Sequence, residues 1–282
     1  MAETERVVSF FMSVLFMLAS VLPFFKTKEV DMDKFELVWA DEFDADSLDA
    51  TKWRDRFVEN GTTYMRKGGY WNTDMVCVKD GNLHISTVYY PDGYKDNGMP
   101  GWYSASLTTK KLFEQTYGYF EIRCILPKGN GMWSAFWLSC GGIGNVGNGG
   151  TDGAEIDIFE SPFYGQSIAN MISTNVHYDG YGTEHKSTNV CKPILLANNP
   201  YEEFNTYALE WNEDEYIFYI NGMETGRSSF GGTSKVAEYM ILSVEVGGAN
   251  GIAADSWAGK ALASDTQTTD FIVDYVRVYQ YK

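Results

Sequence analysis

The chain has 282 residues, 44% of them apolar and 16% aromatic, with 28 Gly, only 7 Pro and a formal net charge of −16. Such acidity argues against nucleic acid or an anionic membrane surface as a partner, and it is compatible with a neutral polymer. The four cysteines, Cys77, Cys124, Cys140 and Cys191, form no C-x-x-C pair, which argues against a zinc centre; Cys124 and Cys140 sit among apolar strand residues and read as buried thiols.

Val7 to Phe25 carry no charge over nineteen residues, the length of a secretion signal or a membrane anchor. The flanks suit export poorly: Glu3, Glu5 and Arg6 are not net positive, no A-x-A site follows, and Lys26 and Lys28 lie just downstream. A helix packed on the domain is a third reading. Residues 1–34 are set apart as a signal or anchor segment with a short linker. Residues 35–282 suit one β domain, because helix signals are scarce and short alternating runs are common. No internal repeat or low-complexity domain interrupts them.

Within the domain, Trp71 follows Tyr70 as a candidate stacking surface, and His84, between Leu83 and Ile85, reads as strand filler. Gly129 to Leu138 place Trp133 and Trp137 four residues apart, so both reach one face of a strand. An indole offers a flat apolar surface with a polar N–H, suited to stacking on a pyranose; core packing is the competing use. A glycine-rich loop, Gly141 to Gly153, then leads into Glu155-Ile156-Asp157-Ile158-Phe159-Glu160.

Three carboxylates alternating with three large apolar residues describe a strand with one greasy and one acidic face. Acidic residues are depleted in strands, so stacking three on one face needs a reason. Glu155 and Asp157 share a face, but Glu160, five positions from Glu155, belongs on the other unless one residue bulges out at Ile158 or Phe159. With the bulge, Glu155 and Glu160 lie about four strand steps apart, roughly 13 Å of backbone. Side chains leaning together bring the carboxyls near the ~5 Å gap of retaining sugar-bond hydrolysis. Glu155 is assigned as nucleophile, Glu160 as acid/base, and Asp157 between them as the group that tunes their protonation. A solvated acidic face or a calcium site is the plainer alternative.

Further along, His177 follows the acidic strand, and His185 reads as a loop residue. Tyr216 to Ile220 followed by Asn221-Gly222 predicts a hairpin. Glu245, flanked by Val244 and Val246, faces either a cleft or a solvent edge. Trp257 is another candidate platform, and Phe271 to Tyr279 reads as the final strand. No G-x-S-x-G elbow accompanies the histidines.

From about Phe35 to Tyr281 the chain resembles glycoside hydrolase family 16. The resemblance rests on Val38-Trp39-Ala40-Asp41-Glu42-Phe43-Asp44, Asp80-Gly81-Asn82-Leu83, Tyr117-Gly118-Tyr119-Phe120-Glu121, the bulged acidic signature itself, Tyr207-Ala208-Leu209-Glu210-Trp211, Ile220-Asn221-Gly222 and Asp274 to Tyr279, in that order. It implies an all-β jelly-roll sandwich of two antiparallel sheets with a concave substrate face. It also implies retaining endo-hydrolysis of β-1,3- or mixed β-1,3-1,4-glucans, without a catalytic cofactor. Galactan hydrolysis, transglycosylation and a non-catalytic carbohydrate-binding module are the alternatives. The resemblance further implies a sugar contact at Asn72 and a place for His177 on the leaving-group side. It implies a structural Ca²⁺ on the convex side, held by the Asp274 carboxylate and backbone oxygens of Gly81 and Glu42. Two positions depart from the family pattern: Ser106 stands where laminarinase-like members carry Arg, and Asn205 where others carry His. The first bears on the sugar recognised, the second on loop structure. A polysaccharide too large to import must be cut outside, so export or surface anchoring is expected, with the enzyme a monomer.

Overall fold

The structure is a computed structural model and describes residues 28–55, 62–95, 98–166, 171–195, 199–265 and 267–282. The uncharged run 7–25 lies outside the described residues. No helix among those described is long and apolar enough to cross a membrane.

Two large sheets form the molecule. The strand Gly118–Ile125 shows why they pack: Phe120, Ile122 and Cys124 are buried toward the second sheet, while Glu121 and Arg123 alternate with them on the outer face. The final strand, Thr268–Tyr281, buries Phe271 and Val273, shifts register at Asp274, and then buries Val276 and Val278. This larger sheet also holds Phe35–Asp41, Asn82–Tyr90, Asn205–Trp211 and the hairpin Tyr216–Ile220/Met223–Ser228. Asn221 and Gly222 turn that hairpin with φ of 50° and 75°, the left-handed pair that an Asn-Gly turn supplies. Asn205 accepts from Asn221 Nδ2 at 2.9 Å, so it braces this turn.

The second sheet has seven strands in the order Lys186–Leu195, Met171–Tyr178, Glu155–Ser161, Met132–Ser139, Tyr239–Val246, Ser106–Thr108 and Arg54–Asp55. Its inner face supplies Ile156, Ile158, Phe159, Phe136, Leu138, Met240, Leu242 and Val244 to the main core, against Leu83, Phe120, Ile122, Leu209 and Phe271 of the first sheet. Burying a side chain of this size is worth about 1.5–3 kcal/mol. The acidic strand is central in this sheet and anchored through its apolar half. Cys124 and Cys140 are buried free thiols, and Cys77 is exposed and free.

Candidate active site

A bulge at Ile158 puts the three acids on the outer face. On one side Asp157 pairs with Trp137 and Phe159 with Phe136, so Ile158 has no partner of its own. On the other, Asp157 pairs with Asn175 and Glu160 with Ser173. Ile158 and Phe159 both remain in the core. Gly153, with φ of 139°, makes the entry: a Cβ there would sit 2.2 Å from Cys140 Sγ.

Glu160 is 8% exposed and Asp157 4%. Trp133 Nε1 donates to Glu160 Oε1 at 2.9 Å, and Asn175 Nδ2 donates to Glu160 Oε2. Burial, then the charges of Asp157 and Glu155, push the Glu160 carboxyl well above the usual carboxylate range, against the opposing pull of His177 and Trp133. Asp157 is also pushed up, by burial and then by Glu155, with the Asn175 amide acting the other way. His177 Nε2 lies 3.2 Å from Asp157 Oδ2, and His177 Nδ1 lies 2.9 Å from His185 Nε2. Glu155, half-buried at the strand's start, accepts from the Tyr181 hydroxyl. The site therefore pairs a reachable carboxylate with a buried acid that keeps its proton to unusually high pH.

The aromatic candidates separate. Trp133 is half-buried and stands edge-on to Trp257, centroids 4.8 Å apart, with Trp257 46% exposed. Trp137 shares the face of Trp133 but is buried in the floor with Ala135, Tyr239 and Ile241, its Nε1 donating to Ser243 Oγ at 3.1 Å. Trp71 is buried and donates to the Val244 carbonyl at 2.8 Å. Asn72 is buried and spends its amide locally: it accepts from Asp74 N at 2.9 Å as cap of a short 3-10 turn and donates to Thr63 Oγ1 at 3.0 Å. His84 lies outside the site, 3.1 Å from Asp270.

Glu245 lies directly opposite Trp133 across the strands, on the face that carries the acids. There Arg66 Nε donates to its Oε1 at 2.7 Å, and the Arg66 guanidinium lies over Trp71 at 5.2 Å. Lys67 Nζ lies 5.6 Å from the Trp133 ring centre. Ser106, the position that departs from the family pattern, is buried in the same floor and paired with Ser243. Arg66, Lys67, Asn175 and Tyr181 are not singled out by the sequence. Asn175 had a signal, standing two residues from His177 and thus on its face.

Of the implied calcium donors, the one side-chain ligand, the Asp274 carboxylate, is matched by a guanidinium. Arg123 is ion-paired with the Asp274 carboxylate. Arg277 grips Glu42 with two hydrogen bonds of 2.8 Å and lowers its pKa. Gly81 is a turn glycine with φ of 71°. The Arg123 guanidinium thus holds the place a cation's charge would take at Asp274. Among the described residues, the His, Asp and Glu side chains close enough to share an ion are Glu155, Asp157 and His177, whose ligand atoms lie within 4.8 Å of one another.

Comparison with known proteins agrees with this architecture. The family model for the glycoside hydrolase family 16 domain of β-porphyranases A–D matches residues 36–281. The chain belongs to glycoside hydrolase family 16. It is 26% identical to a β-glucanase of Rhodothermus marinus over 263 residues, 88% of this chain and 86% of that protein. It is 31% identical to the endo-1,3-1,4-β-glycanase EglC of Rhizobium meliloti over 62% of this chain, but it spans only 33% of that relative's length. Among solved structures it resembles SCLam, a non-specific endo-β-1,3(4)-glucanase, with a TM-score of 0.70 and 27% identity, covering 91% of this chain and 95% of the other. The laminarinase catalytic domain of Thermotoga maritima gives 0.68 and 26%, covering 88% and 99%.

Proposed function

We propose that the protein is a retaining endo-glycosidase acting on β-1,3- or mixed β-1,3-1,4-glucans. The observation that carries this reading is the Ile158 bulge, which turns Glu160 to the face of Glu155 and Asp157. Glu155 attacks the anomeric carbon while Glu160 gives its proton to the leaving oxygen; a glycosyl-enzyme ester forms at Glu155. Glu160, now a carboxylate, takes a proton from water, which attacks the same carbon and frees Glu155. Asp157 raises the proton affinity of Glu160 and is itself met by His177. Trp133 and Trp257 offer aromatic surface to the sugar chain beside the acids. No step needs a cofactor. Export or surface anchoring through residues 1–34, with 35–282 as a monomeric catalytic domain, belongs to the same reading. The glucan assignment draws on the relatives that carry the names β-glucanase and endo-β-1,3(4)-glucanase.

A second reading, hydrolysis of a galactan, is favoured by the β-porphyranase family model and by Arg66 and Lys67 beside Trp133 and Trp71. Laminarin, lichenan, agarose, carrageenan and porphyran, digested in parallel with linkage analysis of products, separate the two. Release of oligosaccharides from laminarin or lichenan supports the first; release from galactans alone replaces it. Binding without product from any of them would leave a carbohydrate-binding module.

A further inference from the structure

At its start, the acidic strand Glu155–Ser161 loses its backbone partner along one edge. On the other edge Glu155 faces His177. Along the first, the pairs with Met132–Ser139 run from Ser161 back to Ile156, which meets Leu138, and go no further. That neighbouring strand continues only to Ser139, paired with Tyr239 of the strand beyond it. Gly153 and Ala154, which lead into the nucleophile, therefore lie past the last backbone pair on that side. Ala154 is fully buried, so its N–H needs an acceptor from elsewhere.

Glu238 supplies it: its Oε1 accepts from Ala154 N at 3.2 Å. Glu238 stands one residue before Tyr239, so its carboxyl reaches across the end of the intervening strand and takes the place of the carbonyl that strand no longer offers. Its own backbone is pinned, because its N–H and carbonyl exchange hydrogen bonds of 3.1 Å each with Gln115. Gln115 Nε2 in turn donates to the carbonyls of Tyr117 at 2.8 Å and of Tyr279, in the final strand of the first sheet, at 3.1 Å. Glu238 is fully buried, a costly place for a carboxyl that only fills space. Burial raises its pKa and the charge of Glu155 raises it further, which puts the two carboxyls within electrostatic reach. A second hold on Glu155, the Tyr181 hydroxyl, comes from a residue 62% exposed in the turn between Met171–Tyr178 and Lys186–Leu195.

We infer that Glu238 is a positioning residue for the nucleophile: its carboxyl, hung from Gln115, fixes Ala154 and so sets where the Glu155 carboxylate meets the anomeric carbon. This rests on the proposed function. Glu238 touches neither sugar nor reacting atoms and acts through the backbone of the residue before Glu155. Trp133 and Trp257, the proposed sugar platforms, are tied to the Glu160 end of the strand instead. Loss of the Glu238 acceptor therefore slows attack by Glu155 and leaves sugar binding in place, because a nucleophile moved by a fraction of an ångström loses rate before the sugar loses affinity.

The experiment follows covalent labelling by 2-deoxy-2-fluoro-β-laminaribiosyl fluoride in the wild type, Glu238→Leu and Glu238→Gln. The Glu155 carboxylate bonds to the anomeric carbon and fluoride leaves with the C–F electron pair, without a proton from Glu160, so the rate reports the nucleophile alone. In Glu238→Leu the limiting labelling rate falls roughly tenfold while the concentration for half-maximal rate stays within about twofold. Glu238→Gln keeps an acceptor for Ala154 N and labels within about twofold of the wild type. Wild-type labelling in Glu238→Leu, or a Gln variant that falls as far as the Leu one, overturns the positioning role. If Glu238→Leu does not fold, Glu238→Asp carries the test: one methylene short of Ala154 N, it shows the same fall, and an unchanged rate overturns the proposal. Failure of the underlying reading looks different: the wild type then takes no label at Glu155, and hydrolysis persists in Glu155→Gln.

Discussion

Trp133 donates its indole N–H to Oε1 of Glu160 at 2.9 Å, so the residue proposed as a sugar platform also touches the buried acid. The bond favours the ionised form of Glu160 and acts against the burial that raises its pKa. In Trp133→Phe the ring remains and the bond is lost. Glu160 then holds its proton to still higher pH, so the alkaline limb of the kcat/KM profile moves up. kcat/KM at neutral pH falls about tenfold, the worth of one hydrogen bond to a charged group. An unmoved limb in a pH–rate series would contradict this.

Asp157 acts on the same proton in the opposite sense. Its charge is the second cause, after burial, of the raised Glu160 pKa. Asp157→Asn removes that charge, Glu160 loses its proton at lower pH, and the alkaline limb moves down. Hydrolysis falls roughly a hundredfold as the acid is less often protonated and His177 loses its partner. The paired shifts, one up and one down, are the signature to look for.

How much of this was readable follows from the range of each interaction. The alternation in Glu155–Glu160 is local, and it places the acids and the core residues correctly once a bulge is admitted; the bulge at Ile158 is one of the two positions the spacing allows. Trp133 and Trp137 look equivalent in sequence, yet Trp137 pairs mid-sheet with Asp157 and Ile241 and is packed into the floor, while Trp133 pairs with Glu245 and stays half open. Asn72 in Asn72-Thr73-Asp74 carries the local signature of a cap, and it is one. The Arg66–Glu245 pair spans 179 positions and depends on two strands meeting, which no local pattern records. Tyr181 gains its place only through the hairpin tip between two glycines.

Glu238 gives a stability prediction. It is fully buried, accepts from Ala154 N at 3.2 Å just before the acidic strand, and has no partner for Oε2 among the described residues. Burial pushes it up to about 8 from an ordinary value of 4.5. Between those values the unfolded chain binds fewer protons than the folded one, so stability falls as pH rises through the window. Glu238→Gln removes the proton linkage and keeps the acceptor. Its Tm exceeds that of the wild type increasingly from pH 5 to 8, by about 5 °C at the upper end. A pH-independent difference in thermal melts would refute the assignment.

Because Arg123 occupies the Asp274 carboxylate, the one side chain in the implied calcium set, added calcium or a chelator leaves thermal stability unchanged, within about 1 °C. A chelator-induced drop of several degrees, restored by calcium, would show that the cation displaces Arg123.

The roles of the two glutamates are tested most directly by azide rescue on an activated aryl β-glycoside. In Glu155→Ala, azide enters from the face the nucleophile has vacated and yields the α-glycosyl azide. In Glu160→Ala, the ester at Glu155 still forms and azide opens it to the β-glycosyl azide. Those two products, each from its own variant, are the predicted result. A β-azide from Glu155→Ala would show that Glu155 is not the residue that carries the sugar.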